Sequence, residues 1–72
     1  MQDFELARLK NAVDRVAAAR RRLEGAEKHL LQVASADSLV NKLRKAVIST
    51  TQLEHSIRNA VFDEMKGRQG NG

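Results

Sequence analysis

The sequence predicts an all-α protein: an antiparallel two-helix hairpin of coiled-coil character, completed by a partner chain or by a second copy of itself. Three observations predict it. Leu9, Val16, Leu23 and Leu30 recur every seven residues, with Ala12, Ala19, Ala26 and Val33 beside them at the same interval. A second stretch holds Leu39, Leu43, Ala46, Thr50, Leu53, Ile57 and Ala60, spaced alternately four and three. Between them stands one polar turn signal, Ser35-Ala36-Asp37-Ser38, in a chain without proline. Heptads of this kind make a helix that must pack lengthwise on another helix. Two equal amphipathic helices joined by a short turn fold back antiparallel.

The first helix is expected over 3–34, with Asp3 as N-cap. Gly25 lies inside it but away from the seam, where a glycine costs about 1 kcal/mol against alanine. The turn falls at about 35–38, where Ser35, Asp37 and Ser38 can each cap a helix. The second helix is expected over 38–66, with Val40, Val47 and Val61 widening its apolar face to one side. Gly67 reads as a C′ stop, and residues 67–72 as a flexible tail. The hairpin therefore occupies residues 1–66. Folding at the turn sets Leu30 near Leu43, Leu23 near Thr50 and Val16 near Ile57, so that apolar layers meet.

Composition limits the rest. Seventy-two residues make one domain, and a core of that size seldom contributes more than roughly 3–5 kcal/mol. Cysteine is absent, which removes disulfides and thiolate metal sites as supplements. No apolar run approaches the ~20 residues of a membrane span, and residues 1–10 lack the apolar core of a signal peptide. A cytoplasmic protein is the expectation. The net charge of +4 divides evenly: seven basic and five acidic residues up to Ser35, six and four beyond it. No basic arm stands apart.

A hairpin alone leaves apolar residues uncovered. Leu6, Val13 and Leu31 flank the first seam, and Ile48, Phe62 and Met65 lie off the second. These six are the expected partner-binding residues, because two helices have no third layer to bury them.

Other chemistry is thin. His29 and His55 fall far apart along the hairpin, too far to share a metal. No nucleophile–base arrangement or paired carboxylate cleft is evident, and a hairpin offers little concave shelter. No catalysis, cofactor, metal or small-molecule substrate is expected. Arg20-Arg21-Arg22 is the densest basic cluster, but three consecutive residues fan around a helix, and Glu24 and Glu27 stand within ion-pairing reach. Lys42, Arg44 and Lys45 crowd the start of the second helix, against its dipole, and hint at a basic patch near the turn. Only Phe4 and Phe62 are aromatic, so base stacking has little to use. Thr50 and Thr51 interrupt the second seam, where a threonine can return its hydroxyl to a carbonyl one turn back.

One segment resembles a known family. Val16-Ala17-Ala18-Ala19-Arg20-Arg21-Arg22-Leu23-Glu24 is similar to the Ala-Ala-Arg-x-x-Leu-Glu stretch of the small co-chaperones of type III secretion needle subunits, the YscE and SsaE group. The short polar turn and the apolar second helix also look like theirs. The resemblance implies a helical hairpin in the cytoplasm that stabilises a larger helical-repeat chaperone and helps keep a needle subunit unpolymerised.

The sequence is accordingly read as a non-enzymatic helical protein–protein interaction module, a co-chaperone of type III secretion by resemblance. The alternatives are a homodimeric four-helix bundle serving as a structural or regulatory adaptor, and a small nucleic-acid-binding protein using the arginine cluster.

Overall fold

A computed structural model describes residues 2–70, with the side-chain surroundings of residues 2–67. Two helices form, α1 (Asp3–Leu30) and α2 (Asp37–Gly70), and they pack against each other as a hairpin. Pairing across the hairpin shows that the helices are antiparallel: Arg20 meets Glu54, whereas Glu27, further along α1, meets Arg44, further back along α2. The molecule measures 58 × 15 × 13 Å. A rod of that girth is one helix pair thick, so each helix keeps most of its circumference open.

The helix ends differ from the sequence reading in detail. Gln2, not Asp3, caps α1, and its carbonyl accepts from the Glu5 and Leu6 N–H groups, both at 3.1 Å. No side chain caps this end. Asp3 is instead the first helical residue, where its charge faces the positive end of the helix dipole. The first helix stops at Leu30, four residues before the expected 34. Leu31 N–H still donates to the Glu27 carbonyl at 2.9 Å, but Gln32 and Val33 reach only three residues back, to His29 and Leu30. This tightening is the usual way a helix unwinds. It brings Ala36 to an almost fully buried position. The Ala36 carbonyl accepts from Val40 N–H at 2.9 Å and so opens α2.

The far end of α2 also departs from expectation. The helix continues through Gly67 to Gly70, past the predicted stop at 66. A C′ glycine ends a helix by turning left-handed. Gly67 has no positive φ and simply remains helical. Positions 71–72 of the expected tail lie outside the described residues.

Gly25 leaves α1 unbroken, and a Cβ built there meets nothing within 4 Å. Gly25→Ala is therefore expected to stabilise the hairpin by about 0.5–1 kcal/mol, through helix propensity and reduced freedom of the unfolded chain. A chemical-denaturation midpoint that falls instead would mean that α1 needs a weak point there.

The main correction concerns the seam. The columns Leu9/Val16/Leu23/Leu30 and Leu43/Thr50/Ile57 face inward, as the heptads predict. Their expected companions do not. Ala19, Ala26 and Val33 on α1 are exposed, as are Leu39, Ala46, Leu53 and Ala60 on α2. The companion columns are instead Leu6, Val13, Arg20 and Glu27 on α1, and Val40, Val47, Glu54 and Val61 on α2. Each helix is thus turned by about 60° from the frame drawn on sequence. Two physical reasons favour this turn. On α1, Leu6 and Val13 bury more apolar surface than the alanines they displace. Across the hairpin, Arg20 and Glu54 of these columns neutralise each other, and Arg44 beside them neutralises Glu27.

Arg20 is the centre of that neutralisation. Its Nε donates to Glu54 Oε2 at 2.9 Å, and its Nη1 donates to Glu24 Oε1 at 2.8 Å. Arg58 holds the other Glu54 oxygen at 2.8 Å. Glu54 is only 6% exposed, yet no buried polar side-chain atom lacks a partner among the described residues. Nearer the turn, Arg44 Nε donates to Glu27 Oε2 at 3.1 Å. Thr50 and Thr51 return their hydroxyls to the carbonyls of Ala46 and Val47, at 2.7 and 2.9 Å. The threonine expectation thus stands in the geometry. Glu27 differs from expectation: it stands five to seven residues from the arginine cluster, beyond i,i+3 and i,i+4 reach, and pairs across the hairpin instead.

Candidate functional site

The seam's orientation decides which columns remain outside. A groove of about 420 Å³ is lined from α1 by Lys10, Val13 and Asp14, and from α2 by Arg58, Val61, Phe62 and Met65. This shared lining fixes one broad face of the hairpin: the Val13 column of α1 and the Val61 column of α2 border the same side. The columns beyond the opposite edge of the seam then share the opposite face. Those are Ala12, Ala19, Ala26 and Val33 of α1, with Leu39, Ala46, Leu53 and Ala60 of α2.

The groove face gathers half of the expected partner-binding residues. Val13, Phe62 and Met65 come together around the groove, with Phe62 the most exposed large apolar side chain. Ile48 lies on the Phe62 column but two heptads nearer the turn, about 21 Å away along the axis. Leu31 is exposed at the turn itself. Neither lines the groove. Leu6 departs from expectation: at 8% exposed it is enclosed within the hairpin, as the first member of the true companion column. Charge on this face is mixed, Lys10 and Arg58 against Asp14, and Arg58 is already paired with Glu54.

The opposite face was not recognised as a surface by sequence reading, because its residues were assigned to the seam. All eight are aliphatic. Seven are exposed, and Ala12 is half-buried. Along its α1 edge stand Arg8, Arg15 and Arg22, one per heptad, about 10.5 Å apart. A shallow hollow of about 250 Å³ lies over Ala18 and Ala19, bracketed by Arg15 and Arg22. None of these three arginines joins an ion pair among the described residues. The α2 edge carries Lys42, Ser49, Ser56 and Asp63, and Glu5 heads the alanine column at the open end. The signal that could have revealed this edge is the seven-residue recurrence of arginine. The eye falls instead on the consecutive run 20–22, which the fold disperses: Arg20 into the seam, Arg22 to the rim and Arg21 to the outer surface.

His29 and His55 are both exposed, and no group of three His, Cys, Asp or Glu suited to a metal occurs among the described residues. No described helix is long and apolar enough to cross a membrane. The Arg20–Glu54 pair is electrostatically perturbed. The Arg20 hydrogen bond chiefly holds the Glu54 carboxyl below the ordinary range; desolvation opposes this, and the charges of Arg20, Arg58 and His55 add to it. Glu24 and Glu54 in turn raise Arg20. Both groups serve the seam, where they fix which columns meet.

Fold and surface together define the class: an antiparallel helical hairpin with two open apolar faces. No family model, curated protein or solved structure is significantly similar to the chain.

Proposed function

We propose that the protein is a non-enzymatic helical interaction module that acts by burying an apolar face on a partner protein. One observation supports this best. Leu31, Val33, Leu39, Ile48, Leu53, Phe62 and Met65 are all exposed, while no described side chain is completely buried. Apolar surface on this scale usually marks a contact. A hairpin that covers so little of itself gains stability from whatever binds its folded form. The resemblance of residues 16–24 to the needle co-chaperones extends the reading to type III protein secretion in the cytoplasm, with a larger helical chaperone as partner.

Sedimentation equilibrium across a hundredfold concentration range, with thermal melts in parallel, tests the module reading. The expected result is a free chain of low midpoint that a stoichiometric partner, captured from native lysate, raises. A midpoint that rises with the chain's own concentration would favour the homodimeric bundle. A monomer with a high, concentration-independent midpoint and no companion would defeat both. Capture of a helical-repeat chaperone together with a needle subunit is what the secretion reading requires.

A further inference from the structure

We infer that the face built from Ala12, Ala19, Ala26, Leu39, Ala46 and Leu53 docks a single amphipathic helix of another protein, one whose apolar stripe is edged by carboxylates at seven-residue spacing. The inference rests on the interaction-module reading and adds which face is used and by what.

The shape sets the first condition. Packed helices lie about 8–10 Å apart, so the valley between α1 and α2 on this face accommodates one further helix lengthwise and closes a three-helix bundle. Alanines on the α1 side leave notches, and their column is exposed at Ala19 and Ala26. Leu39 and Leu53, each about half exposed, stand as ridges on the α2 side. A partner helix fits by placing large aliphatic side chains into the notches and smaller ones over the leucines, as knobs fit holes.

Charge sets the second condition. Arg8, Arg15 and Arg22 repeat at the period of the partner's own seam and are not engaged elsewhere among the described residues. Once the stripe is covered, these guanidiniums border a drier surface, where carboxylates at matching spacing pair with them. A second copy of this chain does not supply them. Two-fold packing of this face against itself sets rim against rim. Arginines then meet either arginines or the edge of Lys42, Ser49, Ser56 and Asp63, which offers one carboxylate. The groove face carries both signs of charge and selects no occupant in this way.

The probe is a designed amphipathic peptide of about three heptads, with leucine in its stripe and glutamate seven residues apart along one edge. Its twin carries lysine at the glutamate positions. Binding to the full chain is read by fluorescence anisotropy. The expected result is that the glutamate peptide binds at least about tenfold more tightly than its twin, and that Arg15→Glu with Arg22→Glu reverses the preference. Leu53→Asp should abolish binding, whereas Phe62→Asp on the groove face should not change it. All these positions are exposed, and circular dichroism checks that each variant folds. Loss of binding by Phe62→Asp rather than Leu53→Asp would overturn the assignment of face and leave the module reading standing. Indifference to peptide charge would overturn the carboxylate partner. A dimer of the free chain that Leu53→Asp dissolves would put a second copy on this face instead. Tighter, salt-sensitive binding of a single-stranded oligonucleotide, lost in the arginine variants, would make the rim a nucleic-acid site. Binding of neither peptide would overturn the proposal, and the module reading would then stand or fall on whether native lysate yields a stoichiometric companion.

Discussion

Val40→Asp is expected to unfold the protein, and Leu39→Asp is not. The two residues are adjacent in α2 and equally apolar on sequence. Val40 is 6% exposed and Leu39 is 53% exposed. A carboxylate at position 40 enters a column shared with Val47, Glu54 and Val61, and Arg44, one turn on, is already paired with Glu27. Burying it costs several kcal/mol, about as much as the roughly 3–5 kcal/mol that a core of this size supplies. At position 39 the same carboxylate stays in water, and the change should be under about 1 kcal/mol. Far-ultraviolet circular dichroism and denaturant titration of the two variants decide the matter. Equal effects would mean that the seam is not turned as described. The reverse order would restore the frame that sequence periodicity suggests.

The second large effect is expected at Arg20 and Glu54. Arg20→Leu removes the main support of a carboxylate that is almost fully enclosed, and leaves it to Arg58 alone. Removing one partner of such a pair destabilises strongly, while replacing both with apolar residues is often neutral or better. Arg20→Leu should therefore lower the midpoint clearly, and Arg20→Leu combined with Glu54→Leu should recover most of the loss. A double variant no better than the single one would mean that the two residues do not act as a pair.

The same pair sets a pH dependence. Glu54 is held below its ordinary value in the folded protein, so the unfolded chain takes up the proton first as pH falls. Its contribution is fully present above the unfolded value of about 4.3. It is lost as pH falls from there through the lower folded value. Glu54→Gln should flatten that part of the melting curve against pH. An acid limb identical to that of the parent chain would assign the loss to other carboxylates.

Much of the fold was legible because helix, hairpin and half of the seam follow from local chemistry. Leu9, Val16, Leu23 and Leu30, like Leu43, Thr50 and Ile57, are inward in every frame that buries the most apolar residues. One polar turn without proline leaves an antiparallel return as the simple closure. The helix ends were less legible. Asp3 is a good cap by type, but the Gln2 backbone caps α1. Gly67 is a good stop by type, but a stop needs a left-handed conformation that the chain does not adopt there.

The candidate surface was the least legible part, and Ala19, Arg20 and Glu54 show why. A frame chosen by apolar character alone takes the column of Ala19 into the seam and leaves Arg20 and Glu54 out. Each of these charges is costly to enclose singly, and nothing nearby in the sequence compensates, since they stand thirty-four residues apart. Only folding brings the two within 2.9 Å, and only then does the column that holds each of them become the better one to bury. Sequence by itself determined two helices, their antiparallel return and one inward column on each. Tertiary structure decided the turn of each helix about its axis, because that depends on pairing between distant charges. That turn leaves the alanine–leucine face, with its row of arginines, open to a partner.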